Sequence, residues 1–69
     1  MKLSAHNALK GTVIKVTHGA VNAEVTIRLE GGAEVISIIT NDSVDRLGLK
    51  ENVPAYAVIK ASNVMVAVD

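Results

Sequence analysis

The chain has 69 residues, 49% of them hydrophobic, with no Cys, two His, and seven basic against seven acidic side chains for a formal net charge of zero. That length suits one domain, residues 1–69, whose single core supplies only about 3–5 kcal/mol, so some further source of stability is expected. The composition excludes disulfides and thiolate metal sites, leaves too few His for a zinc centre, and provides no net field to gather nucleic acid or an anionic membrane.

The opening MKLSAHNALKG lacks the apolar run of about 7–15 residues that marks a signal peptide. No stretch approaches the roughly 20 apolar residues that span a bilayer. A cytoplasmic protein without a membrane partner is the expectation.

Residues 9–17, LKGTVIKVT, read as a first strand, and His18-Gly19 as a tight connection to the next. In AVNAEVTIRLE, residues 20–30, Val21, Ala23, Val25, Ile27 and Leu29 alternate with Asn22, Glu24, Thr26, Arg28 and Glu30, the pattern of a strand with one buried and one solvated face. Gly31-Gly32 supplies a second hairpin turn. The third strand, residues 33–39, carries Val35, Ile36, Ile38 and Ile39 on both faces, so it is expected to be covered on one side by the core and on the other by a neighbour or a partner subunit.

Next, TNDSVDRLGLK predicts one to two helical turns. Thr40, Asn41 or Asp42 caps the start, Val44 and Leu47 share a face, and Gly48 before Leu49 is a Schellman-type stop. After a turn at ENVP, with Pro54 opening an edge strand, AYAVIK and NVMVAV are the last two strands around an Ala61-Ser62 bend. The sum is an all-β fold, five short strands with one short helix, arranged as a small, partly open OB-like barrel.

Eleven Val and six Ile, against no Phe, no Trp and one Tyr, make the apolar content aliphatic and β-branched. So small a domain cannot bury it all, and part of it is expected in interfaces between copies of the chain.

Three segments combine hydroxyls, small residues and donors: Ser4-Ala5-His6-Asn7, Thr40-Asn41, and Lys60-Ala61-Ser62. Small side chains let a ligand reach backbone N–H groups, and a helix start adds free donors and partial positive charge. Together they suit an oxyanion. Each also has a plainer reading: Lys60 as a solvated edge charge, Ser4 as a terminal residue, Thr40 as a helix cap, and His6 and His18 as surface residues. Catalysis has no support, since no Cys nucleophile, G-x-S-x-G, Walker loop or H-x-E motif is present, and Asp42 and Asp45 suit the dipole of a helix start. Tyr56 alone is a poor stacking platform for single-stranded nucleic acid.

Over nearly the whole chain, SAHNALKGTV, GAVNAEVTIRLEGG, ISIITNDSVDRLGL and YAVIKASNVMVAV resemble the molbindins, the molybdenum–pterin-binding-protein-like (Mop) form of the TOBE domain. The resemblance implies a non-catalytic cytoplasmic binder of molybdate, and of tungstate, with no organic cofactor, acting in storage, buffering or molybdenum homeostasis. It also implies a homohexamer, a trimer of dimers, with strands exchanged between subunits and oxyanions held at their interfaces. Carried over residue by residue, the oxyanion site takes Ser4, Ala5, His6, Thr40, Lys60, Ala61 and Ser62, with Lys60 giving the charge and Ser4 and Thr40 giving hydroxyl donors. A second oxyanion site falls around Gly19, Ala20 and Ser37.

Two positions depart from the family pattern. His6 stands in SAHN where the family usually reads S-A-R-N, and Ala61 then Ser62 follow Lys60 where many members place Ser directly. An imidazole with a reference pKa of about 6.5 thus replaces a permanently charged guanidinium. The alternative function is a structural or interaction module of the same fold, its oxyanion binding lost or weakened through His6.

Overall fold

A computed structural model describes residues 1–69. The elements run β1 (Asn7–His18), β2 (Asn22–Leu29), β3 (Glu34–Thr40), α1 (Asn41–Leu47), β4 (Pro54–Ile59) and a 3₁₀ turn at Ala61–Asn63. The strands form one antiparallel sheet in the order β3-β2-β1-β4. Residues from its two outer strands, Ser37 and Ile39 of β3 with Ala55, Tyr56 and Val58 of β4, line one apolar hollow of about 400 Å³, so the sheet curls into a half-barrel.

β1 makes the curl. Its first half pairs with β4, from Asn7 opposite Ile59 to Thr12 opposite Pro54, and its second half pairs with β2, from Gly11 opposite Leu29 to His18 opposite Ala23. Only Gly11 and Thr12 are paired on both sides. A bulge follows between Val13 and Lys15, which adds twist where the strand changes partners. Gly11 is buried, and a Cβ there would lie 2.4 Å from the Arg28 carbonyl oxygen. The absence of a side chain is what lets three strands meet.

The alternation in β2 appears as expected, with Ala23, Val25 and Ile27 buried, while Val21 lies before the strand and is exposed. Thr26, on the opposite face, is also buried, at the site where β1 bulges past it. With Val13, Val44 and Ala57, the three β2 residues complete the core. Gly31 and Gly32, at φ 95° and 99°, turn β2 into β3, a conformation that glycine adopts without a Cβ clash.

The helix signals hold at both ends. Thr40 caps α1, its Oγ1 accepting from Ser43 N–H at 3.0 Å. Gly48 at φ 66° donates its N–H to Asp45 O, and Leu49 N–H reaches Val44 O, the two bonds of a Schellman stop. Val44 is buried, but Leu47, expected on the same face, is exposed at the rim of the hollow, because the short helix reaches the sheet through Val44.

The expected fifth strand, NVMVAV, does not form in the single chain. Residues 61–63 close a 3₁₀ turn, and 64–69 pair with no strand; Met65, Val66 and Val68 are about nine-tenths exposed. The composition is that of a strand, but a strand needs a paired edge, and one chain brings none alongside. Ile36 and Ile38 on β3 likewise face outward, 63% and 69% exposed. The fold class therefore stands with four paired strands in place of five.

Candidate functional site

The register of β1 on β4 builds the site. Their last pair is Asn7 with Ile59. Just beyond that pair the chain runs on into Ser4-Ala5-His6 on one side and Lys60-Ala61-Ser62 on the other. These six residues, with Val58 and Asn63, line one cleft of about 570 Å³. Two segments more than fifty positions apart are thus brought together by a ladder that begins in the core.

Donors dominate this lining. It carries the Lys60 ammonium, the His6 imidazole, the hydroxyls of Ser4 and Ser62 and the Asn63 amide, and it includes no Asp or Glu. The turn adds backbone groups: its first internal bond runs from Asn63 N–H to Lys60 O at 2.8 Å, so the N–H groups of Ala61 and Ser62 precede that bond and are not used within the turn. Ala61 has only a methyl group to place in front of them. The formal charge of the chain is zero, yet the local charge of this lining is positive whenever Lys60 is an ammonium. Such a surface can hold a small oxyanion through charge-assisted hydrogen bonds.

Val58 and Asn63 are lining residues that the sequence reading did not include. Val58 lies two positions before Lys60 on β4, so strand period alone puts them on one face. Asn63 follows from the 3₁₀ turn, which has no comparable sequence signal.

Thr40 does not line the cleft. It closes β3 opposite Asn22, where its Oγ1 accepts from Ser43 N–H and donates to Ser43 Oγ at 2.9 Å. Gly19, Ala20 and Ser37 do not share a pocket. Gly19 is in the turn after β1, where its N–H donates to Asn22 O and its carbonyl accepts from Asn41 Nδ2, whereas Ser37 lies on β3, paired with Val25 and facing the apolar hollow.

Elsewhere the chemistry is sparser. A second cleft, of about 520 Å³, holds Lys10 and Arg28 but also Glu30, and Arg28 is paired with Glu34 at 3.0 Å. Its charge is therefore close to balanced. His18 Nδ1 lies 2.9 Å from Asn41 Oδ1. Because the Asn41 amide nitrogen donates to Gly19 O, its oxygen is the acceptor and His18 Nδ1 the donor. No cluster of three or more His, Cys, Asp or Glu is arranged to hold a metal cation, and no helix is long and apolar enough to cross a membrane.

Comparison with known proteins places this geometry in context. Residues 3–66 match the TOBE domain. Molybdenum-pterin-binding protein 3 of Clostridium pasteurianum is 48% identical over 66 residues, 96% of this chain and 97% of that one. Among solved structures, an apo form of MopII from Clostridium pasteurianum has a TM-score of 0.92 at 43% identity, covering 97% of this chain and 100% of that one. The cytoplasmic molybdate-binding protein ModG, with molybdate bound, has a TM-score of 0.91 at 55% identity over 94% of this chain and 46% of that one.

Proposed function

Since the chain belongs to the TOBE-domain family, among the molybdenum-pterin-binding proteins, we propose that it binds molybdate, and tungstate with it, as a cytoplasmic store or buffer without catalytic activity. The observation that carries this reading is the cleft in which Ser4, Ala5 and His6 meet Lys60, Ala61 and Ser62, rich in donors and free of carboxylates. Lys60 supplies the fixed charge, and Ser4, Ser62 and the N–H groups of Ala61 and Ser62 supply neutral donors. Each charge-assisted hydrogen bond to the dianion contributes about 1.5–3 kcal/mol net.

The ligand is the oxyanion itself rather than a pterin. A pterin ring calls for a broad stacking face, and Tyr56, the one Tyr in a chain without Phe or Trp, lies on β4 outside the cleft.

In this reading residues 1–69 form one domain that works as a homohexamer, a trimer of dimers. The support is physical: only 8 of 69 residues are buried, while Ile36, Ile38, Met65, Val66 and Val68 are largely exposed, far more apolar surface than a monomer of this size leaves in water. The C-terminal segment, without a partner in its own chain, becomes a fifth strand on a neighbouring subunit. Thr40 then joins the oxyanion site from another copy, and Gly19, Ala20 and Ser37 line the second, interfacial site.

His6 supports one competing reading, an interaction module of the same assembly that no longer holds an oxyanion. Calorimetric titration with molybdate at micromolar protein separates the two. Saturable binding is expected, and an absence of heat and of saturation would favour the empty module.

A further inference from the structure

Building on the oxyanion reading, we propose that the cleft takes up a proton together with its dianion, that His6 carries this proton, and that affinity is therefore set by pH across the neutral range. The β1–β4 ladder ends at Asn7 opposite Ile59, and His6 and Lys60, the next residue on each side, both line the cleft. Side chains that line one cleft can be bridged by a small anion that accepts from both. Lys60 is the only other ionisable group in the lining: neither β1, β4 nor the 3₁₀ turn contributes a carboxylate, and Lys2, on the segment that carries His6, is exposed outside it.

The charge count gives the device its direction. Lys60 brings one positive charge against the two of the dianion, and a second positive charge enters this lining only as a proton on the His6 imidazole. The dianion thus favours imidazolium over imidazole, and the complex holds more protons than the free protein plus ligand. Affinity must then rise as pH falls, because binding of the dianion and protonation of the imidazole favour one another. Molybdate itself keeps both charges between pH 8 and 6, so the dependence belongs to the protein.

His18, the other histidine, serves as an internal control. It sits at the far end of β1, bonded to Asn41, and does not line the cleft.

The test is calorimetric titration of the full chain with sodium molybdate at pH 6, 7 and 8, in buffers of different ionisation enthalpy, for wild type, His6→Gln, His6→Arg and His18→Gln. Wild type is expected to bind about tenfold more tightly at pH 6 than at pH 8, with buffer-dependent heat reporting proton uptake. His6→Arg is expected to bind tightly with a flat profile, His6→Gln weakly with a flat profile, and His18→Gln to retain the wild-type slope. Saturable wild-type binding with no pH slope, or a slope that survives in His6→Gln, would overturn the proton uptake while leaving the oxyanion reading intact. No saturation in either wild type or His6→Arg at any pH would instead overturn the oxyanion reading, and this inference with it.

Discussion

Replacing Gly11 by Ala tests the way the half-barrel positions its cleft. The added Cβ would sit 2.4 Å from Arg28 O, 2.8 Å from Ile27 Cγ2 and 3.0 Å from Arg28 C. A methyl group of Ile27 can turn aside, but Arg28 O is backbone on the neighbouring strand, and ordinary contact needs about 1 Å more. The strands must therefore part just where β1 pairs with β2 on one side and β4 on the other. Overpacking of this kind costs about 1–3 kcal/mol, offset by about 0.4–1 kcal/mol from the stiffer unfolded chain. The net is a loss of about 1–2 kcal/mol, which for a domain of this size lowers Tm by about 5–15 °C. Thermal unfolding followed by circular dichroism, at two protein concentrations to separate assembly from folding, measures the change. A Tm within about 1 °C of wild type would refute the claim that Gly11 is required by close strand approach.

Two further predictions concern side chains of the proposed oxyanion sites. Thr40→Ala removes the acceptor for Ser43 N–H and is expected to cost about 1 kcal/mol of stability by thermal melt, with Thr40→Ser restoring it. If Thr40 also reaches an oxyanion from a second subunit, the same pair will show molybdate affinity lost in Ala and kept in Ser. Lys60→Met, at an exposed position, should leave the melt within about 0.5 kcal/mol of wild type. Calorimetry should meanwhile show molybdate affinity about tenfold to a hundredfold weaker, since one charge-assisted bond is gone.

What the sequence disclosed, and what it left hidden, divides along the range of the interactions. The alternation of Ala23, Val25 and Ile27, the Thr40 cap, the Gly48 stop and the Gly31-Gly32 turn are each encoded within a few residues, and each appears in the structure. The segment NVMVAV has equally strong strand composition and yet forms no strand in one chain, because pairing depends on an edge supplied from elsewhere. Spacing puts Leu47 on one face with Val44, yet only Val44 is buried, because a seven-residue helix buries little beyond one contact.

The candidate cleft has the same character. Local rules made Lys60 an edge charge and Ser4 a terminal residue, and their donor-rich composition and the family resemblance grouped them without a geometry. The geometry comes from a single register, whose last pair, Asn7 opposite Ile59, leaves His6 and Lys60 on the same cleft. Nothing within either segment specifies that register; it is fixed by the burial of Val13 and Ala57 in the core and by the close approach at Gly11.

Crystals of the protein soaked in molybdate or tungstate give the most direct measurement of the central claim, because the heavy atom reports its own position by anomalous scattering. The account predicts a peak in the cleft between Ser4–His6 and Lys60–Ser62, within hydrogen-bonding reach of the Lys60 ammonium. Peaks confined to the groove of Lys10 and Arg28, or none at full soaking concentration, would contradict it.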